Sequence, residues 1–216
     1  MKHFAIVVGG TIDDKTAMKV LERENVTHTI AADSGMNFFY RVGRKPDYIV
    51  GDFDSAAYEA MKYFQSQTGI EWETLNPVKD DTDTEHSIRK AIALGADKIT
   101  LLGATGTRLD HVLGNIELLG IGLKEQVDIQ IVDANNRIHL IDHPLVIRKD
   151  SQYGKYVSLI PYTEQVSGLT LQGFKYSLEN AVLHGFCSFG VSNEIVDEEG
   201  KISFAQGILI VIESCD

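Results

Sequence analysis

Cysteine is nearly absent from this chain. Cys187 and Cys215 stand alone in 216 residues, with no CxxC or CxxH spacing, which argues against a disulfide framework or a zinc site. Both read as free thiols. No apolar run approaches the roughly 20 residues that a membrane span needs, and the opening MKHFAIVVGG reads as a strand entering a glycine turn rather than a signal peptide. The expectation is a cytoplasmic protein with no membrane partner. Positive charge is scarce too: 20 Lys and Arg against 31 Asp and Glu give a formal charge of −11. That balance leaves no surplus for phosphate backbones and argues against a nucleic-acid binder. With 44% hydrophobic and 24% charged residues, disordered and fibrous classes are equally unsuited.

What is present divides in two. Up to about residue 134, strand-like and helix-like segments alternate. Phe4 to Val8 is an apolar run ending at Gly9-Gly10, and Thr16 to Glu24 carries Ala17, Val20 and Leu21 at helical spacing. Thr29 to Ala32 and Tyr48 to Val50 are further strands, each followed by a helix-compatible stretch. Asp83 or Thr84 is expected to cap a helix holding Ile88, Ala91, Ile92 and Leu94 and ending at Gly95. Lys98 to Leu102 and Ile129 to Val132 read as strands around one helix from Asp110 to Lys124. Such alternation predicts a mainly parallel α/β sheet domain over 1–134. From 135 to 216 the texture is all-β, with runs at Arg137 to Ile141, Val146 to Arg148, Tyr156 to Ile160, Leu169 to Leu171 and Ile208 to Ile212. One-faced strands must bury their apolar side, so a β-sandwich domain is expected after a short junction.

Six aspartates fall at or beside the ends of the first domain's strands: Asp33 in AADSG, Asp52 and Asp54 in IVGDFDS, Asp80 and Asp83 in VKDDTDTE, and Asp110 in TRLDH. Like charges converging in one cleft repel one another, and a hard divalent cation is the usual remedy. The implied chemistry is Mg²⁺-assisted phosphate transfer. In IVGDFDS the alternation puts Asp52 and Asp54 on one side of an extended segment, where both can face one metal. The bland reading is an Asx-turn in which one carboxylate caps backbone N–H groups. For the acids after Lys79 the bland reading is favourable placement at a helix N-terminus, although Lys79 adds a point charge suited to phosphate. Asp81 is expected to face away.

The run Gly103-Ala104-Thr105-Gly106-Thr107-Arg108 opens a helix with free N–H donors for an anion, and Arg108 is placed to clamp phosphate oxygens. It lacks the Gly-Lys-Ser/Thr step of a Walker motif. His111 reads either as an acid–base group or as a residue orienting a neighbour. The other histidines, His86 among them, show no partner pattern. Gly9 and Gly10 either let a nucleotide approach or simply form a turn. In Gly190-Val191-Ser192-Asn193-Glu194, Ser192 and Asn193 can read a heteroaromatic ring edge, with an ordinary turn as the competing reading.

Taken in order, AADSG, GDFDS, KDDTDTE, GTRLDHVLGN, VSLIP, GLTLQGFKYSL and SNE resemble the thiamine pyrophosphokinase family over nearly the whole chain. The resemblance implies transfer of a pyrophosphoryl group from ATP to thiamine, giving thiamine diphosphate and AMP, with Mg²⁺ as cofactor. It also implies an α/β nucleotide-binding domain, a thiamine-binding β-sandwich, and a homodimer with active sites between subunits. Carried over by motif, Asp52, Asp54, Asp80 and Asp83 look like metal-binding carboxylates and, with Arg108 and Asp110, catalytic residues. Asp33, Ser34, Gly35, Ser55, Lys79, Thr82 and His111 look like nucleotide and phosphate contacts, and Ser192 and Asn193 resemble the thiamine-contacting turn. Two departures stand out: Ser34 replaces the family's common glycine, and Thr107 separates glycine from arginine in GTRLDH. Two other classes compete. One is an aspartyl phosphatase using Asp52 covalently, against which two strand units precede the motif. The other is a sensor that binds without turnover, which retention of every carboxylate disfavours.

Overall fold

The computed structural model describes every residue except Pro77 and Lys79. The chain forms two compact units, Met1–Ala134 and Asn135–Asp216. In the first, the elements run β1 (His3–Val7), α1 (Asp14–Arg23), β2 (His28–Ala32), a 3₁₀ turn (Asp33–Gly35), α2 (Met36–Arg41), β3 (Tyr48–Gly51) and α3 (Tyr58–Gln65). They continue with β4 (Glu71–Thr74), α4 (Asp83–Ala93), β5 (Lys98–Leu102), α5 (Leu109–Leu118), α6 (Gly120–Glu125) and β6 (Asp128–Val132). These strands lie in the order β6-β5-β1-β2-β3-β4, and every pair is parallel.

Helices on a parallel sheet bury both strand faces, and all five residues of β1 are buried for that reason. Phe4, Ile6, Ile30, Ile49, Ile99 and Leu101 have no exposed surface, and each contributes about 1.5–3 kcal/mol on burial. The helices dock by the stripes read from the sequence. On α1, Ala17, Val20 and Leu21 are buried, and on α4, Ile88 and Ala91. Asp13 caps α1 by accepting the Thr16 amide at 2.7 Å.

Three expectations change here. The cap of α4 is neither Asp83 nor Thr84. Thr82 Oγ1 accepts the Glu85 amide at 3.2 Å, and Asp83 is already helical. The helix expected from Asp110 to Lys124 breaks at Leu119 into α5 and α6. Gly120 and Gly122 each disfavour helix by about 1 kcal/mol, and Gly122 lies so close to the Val127 carbonyl that a Cβ there would sit 2.5 Å from it. Strand β4 is an addition, because its sequence Glu-Trp-Glu-Thr has no apolar run. An edge strand with two exposed ends needs none.

The second unit holds β7 (Asn136–Ile141), β8 (Leu145–Arg148), β9 (Tyr156–Pro161), β10 (Gln165–Gln172), β11 (Leu178–His184), β12 (Asn193–Glu194), β13 (Glu199–Ser203) and β14 (Leu209–Ser214). Antiparallel pairing builds two layers, β12-β9-β14-β7 and β11-β10-β13-β8. Their inner faces share one core, with Val157, Leu159, Leu209 and Val211 from the first layer and Val166, Leu169, Leu183 and Ile202 from the second. This is the expected sandwich. Strands β11 and β13 were not read from the sequence: β13 carries a single isoleucine, and on β11, although Leu178, Ala181, Val182 and Leu183 are apolar, Leu183 alone is buried. Among the described residues, no helix is long and apolar enough to cross a membrane.

Candidate active site

Parallel strands deliver the loops at their C-terminal ends to one edge of the sheet, the usual ligand-binding edge of such folds. Asp33 follows β2, Asp52 follows β3, and the Gly103–Arg108 loop follows β5. One ligand oxygen from each of Asp33, Asp52 and Asp54 lies within 4.8 Å of the others. The sequence had set Asp33 apart, beside the nucleotide, and the fold brings it into the carboxylate group. Asp33 Oδ2 accepts a hydrogen bond from Ser55 Oγ. Its Oδ1 is buried with no hydrogen-bond partner, an arrangement that normally needs an explanation. Asp52 Oδ1 accepts the Asp54 amide at 3.2 Å, so the Asx-turn and the carboxylate cluster coexist.

The electrostatics agree with the crowding. The Asp54 carboxyl is pushed above the ordinary aspartate value, first by the negative charge of Asp52, then by desolvation, Asp33 and Asp83. Backbone geometry is unusual at the same place. Asp33 has φ 48° and Phe53 has φ 66°. Aspartate tolerates the left-handed region, but a bulky aromatic residue does not, and such residues cost about 1–3 kcal/mol each. Gly51 makes the approach possible: with φ 155°, a Cβ there would lie 3.0 Å from Asp33 Cα. Three acids offering only oxygen donors, one of them with an unpartnered buried oxygen, fit a hard divalent cation.

Beside the cluster a cavity of about 610 Å³ opens within this unit. Asp33, Ser34, Ser55, Thr82, Asp83, Arg108 and His111 line it, together with Gly9, Gly10, Thr11 and the Thr105–Thr107 loop. The Gly-Gly turn after β1 is held to that loop by Gly10 N–H donating to Gly103 O at 2.8 Å and Thr11 N–H to Thr105 O at 2.7 Å. The Arg108 side chain does not cap the N-terminus of α5, and apart from the His111 amide, which the Asp110 carboxylate engages, its first-turn amides are available to an anion. Arg108 and Asp110 form a forked pair, Nη2 to Oδ2 at 2.5 Å and Nε to Oδ1 at 3.2 Å. The guanidinium holds the Asp110 carboxyl down at about 2.

Other predicted residues fall elsewhere. Gly35 is buried against the Val7 carbonyl and does not line the cavity. Asp80 is exposed and is not among the lining residues, and Lys79 lies outside the described residues. In the second unit Asn193 is buried. Its Oδ1 accepts the Tyr176 and Glu194 amides at 3.1 and 2.9 Å, and its Nδ2 donates to Tyr176 O at 2.8 Å. It forms one wall of a mainly apolar cavity of about 280 Å³, with Tyr176, Leu178, Phe189 and Val191. Ser192 is exposed, with φ 59°, and its amide donates to Ser158 Oγ at 3.0 Å.

Sequence reasoning missed two features that fix these loops. Asn115, the buried residue of α5, donates to Ala104 O at 2.8 Å and ties the glycine-rich loop to its helix. A polar residue at the one inward position of a helix was the available signal. His86, read as lacking partners, lies 2.7 Å from Glu73 Oε1 and 3.3 Å from Asp81 Oδ2. Lys90 donates to Glu73 Oε2 at 2.6 Å, and the two cation-side contacts pull the Glu73 carboxyl below its ordinary value. Asp81 therefore turns to His86, which fastens the acidic loop to β4. His86 and Lys90 at i and i+4 were the signal.

The family model for the catalytic domain of thiamin pyrophosphokinase matches residues 20–131, and that for its vitamin B1 binding domain matches residues 142–209. The chain is 34% identical over 218 residues to thiamine pyrophosphokinase of Bacillus subtilis, covering all of both chains. The crystal structure of the Bacillus subtilis thiamine pyrophosphokinase matches with a TM-score of 0.88 at 34% identity, again over all of both chains. That of the Geobacillus thermodenitrificans thiamin pyrophosphokinase gives 0.84 at 34% identity, over 99% of this chain and 98% of that one. With two family models matching residues 20–131 and 142–209 and a relative 34% identical over the whole of both chains, the chain belongs to the thiamin pyrophosphokinase family.

Proposed function

We propose that this enzyme transfers the pyrophosphoryl group of ATP to the hydroxyl of thiamine, releasing AMP and thiamine diphosphate, with Mg²⁺ as its cofactor. The observation that carries the reading is the convergence of Asp33, Asp52 and Asp54 beside the 610 Å³ cavity. Magnesium held there would neutralise charge developing on the phosphoryl oxygens. Asp33, Asp52 and Asp54 are the ligands best supported by geometry, with Asp83 contributing charge to Asp54 and Asp80 supplied from the adjoining loop. Ser34, Gly35 and Ser55 shape the Asp33 side, while Thr82, Lys79 and His111 serve the phosphates. The α5 amides and Arg108 bind phosphate oxygens, which requires Arg108 to exchange Asp110 for substrate. Freed from that pair, Asp110 orients the attacking hydroxyl.

In the sandwich, the apolar cavity bounded by Tyr176, Phe189 and Asn193 suits the flat rings of thiamine. Asn193 sets the wall through Tyr176, and Ser192 would contact thiamine from the same turn. The acidic charge of −11 favours a cationic acceptor. Resemblance to the family supports a homodimer with sites between subunits, and the absence of a signal-peptide pattern in the opening MKHFAIVVGG supports a cytoplasmic location.

Phosphorus NMR of the protein with ATP, Mg²⁺ and thiamine tests the reading. AMP and thiamine diphosphate are expected; ADP would overturn pyrophosphoryl transfer, and inorganic phosphate would favour the phosphatase. Asp54→Asn should lower turnover by roughly 10²-fold or more while leaving the melting temperature unchanged or raised, since it removes a repelled charge. Wild-type turnover would remove Asp54 from the site.

A further inference from the structure

Phe53 stands between two metal-facing aspartates, yet it neither lines the cavity nor carries a polar group. Its left-handed backbone, φ 66°, is one that only the surroundings can hold in an aromatic residue. What meets it is Trp72, with ring centroids 5.4 Å apart and planes at 73°, an edge-to-face pair. Trp72 is the single tryptophan of the chain. It is only half-buried on an edge strand, so it adds little to the core. Among the described residues its strand β4 pairs only with β3, Trp72 opposite Ile49, and Leu75 N–H donates to Gly51 O at 2.9 Å. The pairing therefore continues to the residue before Asp52 and fixes the indole against the loop. With the Phe53 ring held on the indole, the carboxylates on either side both face Asp33.

We propose that Trp72 is a positioning residue of the metal site: acting through Phe53, it holds the Asp52–Asp54 loop in the one conformation that brings both carboxylates to Asp33. The proposal rests on the metal-binding role given to that cluster above. It separates from a purely structural role because it predicts a loss confined to cation binding.

Direct Mn²⁺ binding, read by electron paramagnetic resonance of the free ion without nucleotide, provides the test. Trp72→Ala should weaken Mn²⁺ binding by about 3–10-fold, the span one aromatic pair can supply. Trp72→Phe should remain within about twofold of wild type because it keeps an edge-to-face partner. The Mg²⁺ requirement in turnover should rise in parallel, with the thiamine KM unchanged. Equal Mn²⁺ binding by wild type and Trp72→Ala would overturn the proposal, as would Trp72→Phe binding no better than Trp72→Ala. Should Trp72→Ala not fold, Phe53→Leu, which leaves the tryptophan in place, must show the same weakening or the proposal fails. A wild type that binds no Mn²⁺ overturns the cluster and this proposal together. Trp72-dependent Mn²⁺ binding without thiamine diphosphate formation supports this proposal and overturns only the assigned reaction.

Discussion

Gly51→Ala puts the geometry of the carboxylate cluster under direct strain. A methyl group at residue 51 would lie 3.0 Å from Asp33 Cα and 3.1 Å from its Cβ and N, and φ of 155° is itself foreign to alanine. The backbone term costs about 1–3 kcal/mol and the overpacking a further 1–3 kcal/mol or so. Near the middle of those ranges the total is roughly 4 kcal/mol, a loss of about 8–16 °C in Tm for a chain of this size. Gly43→Ala is the control. Residue 43 also has positive φ, 66°, but nothing lies within 4 Å of an added Cβ, so only the left-handed term of about 1–2 kcal/mol remains, roughly 2–8 °C. Thermal denaturation of both variants, paired with Mn²⁺ titration, separates strain from contact. If Gly51→Ala relieves the clash by displacing Asp33, its Tm loss shrinks but cation binding weakens. The reasoning is refuted if Gly51→Ala melts with Gly43→Ala and binds the cation as wild type does.

Asn115→Ala removes the amide that ties Ala104 O to α5; a loss of about 1–3 kcal/mol is expected in urea unfolding, with a raised KM for ATP and an unchanged KM for thiamine. An unaltered ATP KM would show that the loop holds itself. His3 is fully buried between Glu24 O and Thr100 Oγ1, at 2.8 and 2.9 Å. Burial pushes its pKa below the ordinary 6.5, outweighing the Glu24 carbonyl. The folded state therefore prefers the neutral ring. Stability is full above pH 6.5 and declines as pH falls through and below it, by at most about 1.4 kcal/mol per pH unit for this one proton. Urea unfolding between pH 5 and 8 should show that decline in wild type and a shallower one in His3→Gln; identical slopes would exclude His3 as its source.

How much was legible depended on whether the signal was local. Apolar runs such as Phe4 to Val7 and stripes such as Ala17, Val20 and Leu21 revealed strands and helices because burial on both sheet faces or one helix face leaves a period in the sequence. Edge strands left none: β4 reads Glu-Trp-Glu-Thr and β11 is largely exposed. The α5–α6 break at Leu119, just before Gly120 and Gly122, does not interrupt the apolar spacing and so left no signal in the sequence.

By itself the sequence determined the alternation of β and α, the sandwich that follows it, the acids at strand ends and the motif order of the family. These depend on residue type and spacing along one segment. Only the tertiary structure decided which acids meet. Asp33 joined Asp52 and Asp54 because β2 and β3 are parallel neighbours and Gly51 permits their loops to touch. Asp81 left for His86, and Phe53 found Trp72 across the β3–β4 pairing. Distance between side chains from separate strands is set by sheet register and packing, which no single segment encodes.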